Sequence, residues 1–297
     1  MSLFEAIIFV VVGIAAGALS TSFGIGGGAI STPAIRALGI SAITSIGTTL
    51  PSVLPGVLTG MMHFRGQQLI RYRVVLAVAI PGVVASVAGS LVSHRLPGNG
   101  HLIMIITAAI LMLNAFRISK APREAALEPT AAPEKLLVPE AALLSRRNSD
   151  LNSAEIPERE PPALWAESVP RPARHLVRLG AIGILAGLIS GMLGLGGGIV
   201  LVPMFVQRLG LSLRESTATS LVCVGVLAIP SIITHTYIGD IDWTVSALLT
   251  LGTIPGAHLG AKLALRVSEL WLRRSAALVL SVVALVYGAS EVIALLR

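Results

Sequence analysis

Two glycine clusters carry the chemistry that this sequence could do. Gly24-Ile25-Gly26-Gly27-Gly28 and Gly194-Leu195-Gly196-Gly197-Gly198 sit in apolar surroundings, and Pro33 and Pro203 follow them. Glycine takes positive φ without steric penalty, so such a cluster can end one helix and start another. The first N–H groups of the new helix have no intrahelical partner, and its dipole is positive there, which favours an anion. Irregular backbone at membrane depth is tolerated only where protein buries it or where it lines a cavity. The competing reading is close helix packing on small residues. A nucleotide-binding loop is excluded, because no Lys-Ser/Thr follows either cluster and the context is apolar helix.

Hydroxyls flank both clusters. Ser20, Thr21 and Ser22 precede the first, and Ser190 precedes the second. Thr44, Ser45, Thr48 and Thr49 have Ser216, Thr217, Thr219 and Ser220 as counterparts. Thr48 matches Thr219, and Thr49 matches Ser220. The candidate anion site is therefore Ser22, Gly24, Gly26, Gly27, Gly28, Thr48 and Thr49 together with Gly194, Gly196, Gly197, Gly198, Thr219 and Ser220. Hydroxyls bonded to the carbonyl four residues back would be the bland alternative. His63 and His235 occupy equivalent positions and titrate in the physiological range, so they are candidates for a coupling proton; an interfacial position competes with that reading. Lys262, in an apolar run four residues after His258, and Cys223 are secondary candidates. No metal-ligand set, cofactor motif or catalytic motif is present, so no metal, cofactor or enzymatic activity is expected. One cysteine excludes an intrachain disulfide and a cysteine-ligated iron–sulfur cluster.

The elements that must position these residues follow from composition. Of 297 residues, 54% are hydrophobic and 12% are charged, against about 25% charged in a soluble domain. Only 4% are aromatic, which opposes an outer-membrane barrel. The expected class is an all-α polytopic membrane protein. Apolar segments fall at 4–22, 27–38, 43–63, 73–92 and 99–117, then at 176–192, 197–208, 213–237, 243–264 and 272–294. The segment after each glycine cluster is too short to span, so the first two segments of each half should form a broken or re-entrant pair. The net charge of +7 lies mostly between apolar runs and forms no stripe, so no nucleic-acid partner is expected.

The ten segments are two copies of five. The offset is 170 between Gly24 and Gly194 and drifts to 174 between Ile80-Pro81-Gly82 and Ile254-Pro255-Gly256. This divides the chain into a first membrane repeat (1–118), a polar linker rich in Pro, Glu and Arg (119–174) and a second membrane repeat (175–297). A short amphipathic helix is expected near Glu134 to Leu144. Arg65, Arg71 and Arg73 flank the loop after the third segment, whereas its counterpart holds Asp240 and Asp242. Equivalent loops then lie on opposite faces, as in inverted repeats, with the linker cytoplasmic and both termini outside.

The repeated Gly-Ile-Gly-Gly-Gly and Gly-Leu-Gly-Gly-Gly clusters resemble the sulfite exporter TauE/SafE family of membrane transporters. With them go Pro33, Val202-Pro203, Thr48-Thr49, Thr219-Ser220-Leu221 and the two Ile-Pro-Gly triplets. The resemblance covers both halves but not the long linker, which departs from the commoner compact pattern. It implies transport of small sulfur-containing or organic anions (sulfite, sulfonate or thiosulfate) across the cytoplasmic (inner) membrane. An anion channel of the same architecture is the alternative. The expected partners are the anion, the lipid bilayer, coupling protons and further copies of the chain in a homo-oligomer.

Overall fold

The computed structural model describes residues 2–95, 101–120 and 172–295. Ten helices occupy them: α1 (Leu3–Phe23), α2 (Gly28–Ala37), α3 (Ala42–Arg65), α4 (Tyr72–Arg95), α5 (His101–Lys120), α6 (Pro172–Leu193), α7 (Gly198–Leu209), α8 (Leu213–Ile238), α9 (Trp243–Arg266) and α10 (Glu269–Leu295). Each expected segment is found, with ends shifted by a few residues. Helices α5 and α6 run into the margins expected for the linker, and the amphipathic helix expected near 134–144 lies outside the described residues. Five helices (α1, α3, α4, most of α6, and α8) are long and apolar enough to cross a membrane. The protein is an all-α polytopic membrane protein.

Local signals set the helix starts. Ser2 with Glu5 and Ser212 with Glu215 form capping boxes at α1 and α8. The Ser41 hydroxyl caps α3, and the Asp242 carboxylate accepts from the Thr244 and Val245 N–H groups at α9. Helices α2 and α7 have 10 and 12 residues. At 1.5 Å per residue they reach about 15–18 Å, short of a hydrocarbon core of about 30 Å.

Small residues bring the two halves together. Helix α1 packs along α9, and α4 packs along α6. In the first seam Gly13 meets Leu249 and Gly252, Gly17 meets Thr253, and Gly260 meets Ala18. In the second, Val78 meets Gly183, Gly82 meets Gly187, and Ser86 meets Gly191. Residue numbers rise together along both seams, so each pair is parallel. The seams are mates: the first helix of either half lies on the fourth helix of the other. Helix α5 packs on α10, and α3 and α8 cross between them at the centre. Without a hydrophobic drive between helices in lipid, such close backbone approach is the main source of association.

The two ends of the bundle differ in charge. At one end the α3–α4 turn lies on the start of α8: the Arg71 side chain pairs with Glu215 at 2.5 Å, and Arg214 reaches the Val267 carbonyl at the end of α9. Arg65, Arg73, Arg208 and Arg266 belong to the same helix ends. At the other end the α8–α9 turn, with Asp240 and Asp242, lies on the start of α3 and the end of α4.

Candidate functional site

The glycine clusters break the helices as their composition requires. Gly24 caps α1 with φ 67° and donates its N–H to the Ser20 carbonyl at 2.7 Å; Gly194 closes α6 with φ 66° and donates to the Ser190 carbonyl at 3.0 Å. Gly26, Gly196 and Gly197 also have positive φ, at 89°, 73° and 73°. Helices α2 and α7 restart at Gly28 and Gly198, and neither Gly27 nor Gly197 supplies a side-chain cap. The early N–H groups are met by backbone instead: Ala29 donates to the Gly26 carbonyl at 3.4 Å, Ile30 to that of Gly27 at 3.2 Å, and Val200 to that of Gly197 at 3.1 Å.

The two breaks touch, which sequence alone did not reveal. A Cβ on Gly28 would stand 2.0 Å from the Gly194 carbonyl oxygen, and one on Gly198 would stand 2.3 Å from that of Gly24. A Cβ on Gly26 would meet the Leu195 carbonyl oxygen at 2.3 Å. The glycines therefore end helices and also let two backbones meet. Gly27 is the exception. Its φ of −62° suits any residue, and a Cβ there finds nothing nearer than 3.7 Å.

The matched hydroxyls divide into two roles. Ser220 donates to the Gly24 carbonyl at 2.9 Å and so fixes the first break. Ser22 donates to the Gly260 carbonyl at 3.0 Å, bridging α1 to α9. Thr49 lies 3.0 Å from the Thr32 hydroxyl and donates to the Ile46 carbonyl. Thr48 and Thr219 stand elsewhere, at opposite ends of the bundle. Thr48 accepts the Asp242 N–H at 2.9 Å, and Thr219 accepts the Arg71 N–H at 3.1 Å. Each braces the turn before the fourth helix of the opposite half.

Among the described residues, three buried hydroxyls have no hydrogen-bond partner: Ser190, Ser216 and Thr217. Ser190 is the residue whose carbonyl accepts the Gly194 N–H at the second break. Thr217 packs against the first break, its Cα 2.8 Å from where a Gly24 Cβ would be. A buried hydroxyl without a partner is costly, at about 1–3 kcal/mol; Ser190 and Thr217 lie beside the two breaks. A small, largely apolar cleft reaches Gly26 from the α10 side, between Phe23, Ile25, Ala276 and Leu280.

The histidines do not form one relay. His63 donates to the Thr59 carbonyl and meets the His258 ring edge-on, with centroids 4.5 Å apart. His235 is fully buried, and its Nδ1 lies 3.0 Å from Asp240. His94 contacts the same Asp240 oxygen. His94 and Asp240 were missed as a site because His94 has no histidine at its repeat mate, Ser268. Lys262 lies on the exposed face of α9, and Cys223 is buried in the core beside Val224 and Leu227.

Glycine breaks in mutual contact inside reciprocal helix seams are a specific arrangement, and the sequence bearing it matches the sulfite exporter TauE/SafE family across residues 9–287. The chain belongs to that family. As a TauE/SafE protein it is a multi-pass membrane transporter. It is 22% identical to the "Probable membrane transporter protein YunE" of Bacillus subtilis (strain 168) over 95% of each chain. It is 24% identical to the "Probable membrane transporter protein YjnA" of the same strain over 87% of this chain and 90% of that one. A "Probable membrane transporter protein" of Xylella fastidiosa (strain 9a5c) is 30% identical over 95 residues, so the chain spans 36% of that relative's length. No solved structure matches the TauE/SafE chain.

Proposed function

We propose that this protein is a secondary transporter that carries small sulfur-containing or organic anions, of the sulfite, sulfonate or thiosulfate class, across the cytoplasmic membrane by alternating access. The observation that carries the reading is the pair of touching helix breaks with the unpartnered hydroxyls of Ser190, Ser216 and Thr217. Neutral hydroxyls and backbone N–H groups can hold an anion without a buried countercharge, so release costs less than from a fixed ion pair. The half-helix dipoles add to that attraction.

Inverted repeats supply the mechanism. The parallel seams α1–α9 and α4–α6, with each connection reversing the chain, run α1 and its mate α6 in opposite directions. The two halves can then rock about the breaks and expose them to either side in turn. The arginine-rich end is cytoplasmic in this reading and the Asp240–Asp242 end is outside, which places both termini outside.

Ligand-induced stabilisation tests the site. Thiosulfate, sulfite or a small sulfonate should raise the melting temperature of the detergent-purified protein, and a Gly27→Leu variant of equal basal stability should not respond. No response of the parent to any of the three would contradict the assignment.

A further inference from the structure

Outside the glycine breaks, among the described residues, one cluster brings ligand-forming atoms together. His94 at the end of α4, His235 near the end of α8, and Asp240 in the α8–α9 turn converge, with His94 Nε2, His235 Nδ1 and an Asp240 oxygen all within 4.8 Å of one another. The outer nitrogen of His235, Nε2, faces the Gly191 carbonyl of α6 at 3.4 Å.

We infer that His94, His235 and Asp240 form a site for a divalent transition-metal ion, of which Zn²⁺ suits the donor set best. Two imidazole nitrogens and one carboxylate oxygen are donors such ions favour, and three protein ligands leave one position open to water. The remaining contact is the one such a site needs. A metal-ligating histidine usually gives its other N–H to a carbonyl, which fixes the tautomer and the ring plane. His235 Nε2 is placed to do this toward Gly191, and Nδ1, 3.0 Å from Asp240 here, would then turn its lone pair to the ion.

Access matches the same reading. The His235 side chain is fully buried, whereas those of Asp240 and His94 are 13% and 29% exposed, so the site opens on one side only. Its ligands come from both halves of the chain, α4 from the first and α8 with its following turn from the second. A bound ion would tie these elements together at the acidic end. The inference does not rest on the nature of the transported anion.

The test uses tag-free, full-length protein in detergent. Zn²⁺ competition against a chromophoric chelator should show one equivalent per chain and a metal-dependent rise in melting temperature. Co²⁺ should give visible ligand-field bands of a tetrahedral or five-coordinate site. His94→Ala and Asp240→Asn should each weaken binding at least tenfold, while melting like the parent in EDTA. His63→Ala, outside the cluster, should bind as the parent does. The inference is overturned if the parent binds no stoichiometric Zn²⁺, or if both cluster variants keep parental affinity and the Co²⁺ spectrum.

Discussion

At the scale of single residues, the hydroxyls divide into bonded and unbonded sets. Ser220, Ser22 and Thr49 give their protons to carbonyls or a neighbouring hydroxyl, so they hold the structure. Ser190 and Thr217 hold nothing in this conformation. Replacing an unpartnered buried hydroxyl by an apolar group of like shape removes a desolvation cost and no bond. Ser190→Ala and Thr217→Val should therefore melt at or above the parental temperature, whereas Ser220→Ala should melt lower, having lost a buried bond that contributes about 1 kcal/mol. Thermal unfolding in detergent checks both. The glycines separate in the same way. Gly28→Ala drives a Cβ into the Gly194 carbonyl and should cost about 1–3 kcal/mol as overpacking. Gly27→Ala makes only ordinary van der Waals contact with Ala16 and should cost no more than about 1 kcal/mol, the loss of a glycine N-cap.

At the scale of elements, the seams α1–α9 and α4–α6 are equivalent devices. Gly17→Val and Gly187→Val each place a branched side chain against a carbonyl that a Cβ alone would approach to 2.3 Å and 2.1 Å. Both should lower the melting temperature by similar amounts. Gly180→Ala, on the same helix as Gly187, has only Pro81 at 4.0 Å and should be neutral or stabilising, because alanine exceeds glycine in helix propensity by about 1 kcal/mol. The helices were legible in the sequence because each apolar run is bounded by caps, charges or glycine. The breaks were legible because three successive glycines leave little alternative. The meeting of the two breaks was not, since a glycine gives no sign of what stands where its side chain would be. Thr48 and Thr219 show the same limit. Their equivalence was readable, but their partners are backbone N–H groups 194 and 148 residues away. Pairing by repeat mates also hid the His94–Asp240 contact, because it joins non-equivalent positions.

At the scale of the whole molecule, the proposed orientation in the bilayer rests on the arrangement of charge. Arg65, Arg71, Arg73, Arg208, Arg214 and Arg266 lie at the end that carries the α3–α4 turn, and the end that carries the α8–α9 turn has Asp240 and Asp242 alongside Arg36 and Arg95. A cysteine at Gln67→Cys should react with a membrane-impermeant maleimide only from the cytoplasmic side, and one at exposed Tyr237→Cys only from outside. The native Cys223 is fully buried and should not contribute. Labelling of both positions from one side would contradict the orientation. The central claim is that the paired breaks and their free hydroxyls bind the transported anion. Its most direct test is the initial rate of labelled sulfite, thiosulfate and sulfonate uptake into proteoliposomes, comparing the parent with the Ser190→Ala/Thr217→Val double variant. The account predicts saturable uptake of at least one of these anions by the parent, and a drop of at least tenfold in a double variant that is fully folded. Saturable uptake that the double variant retains at the parental rate would contradict it.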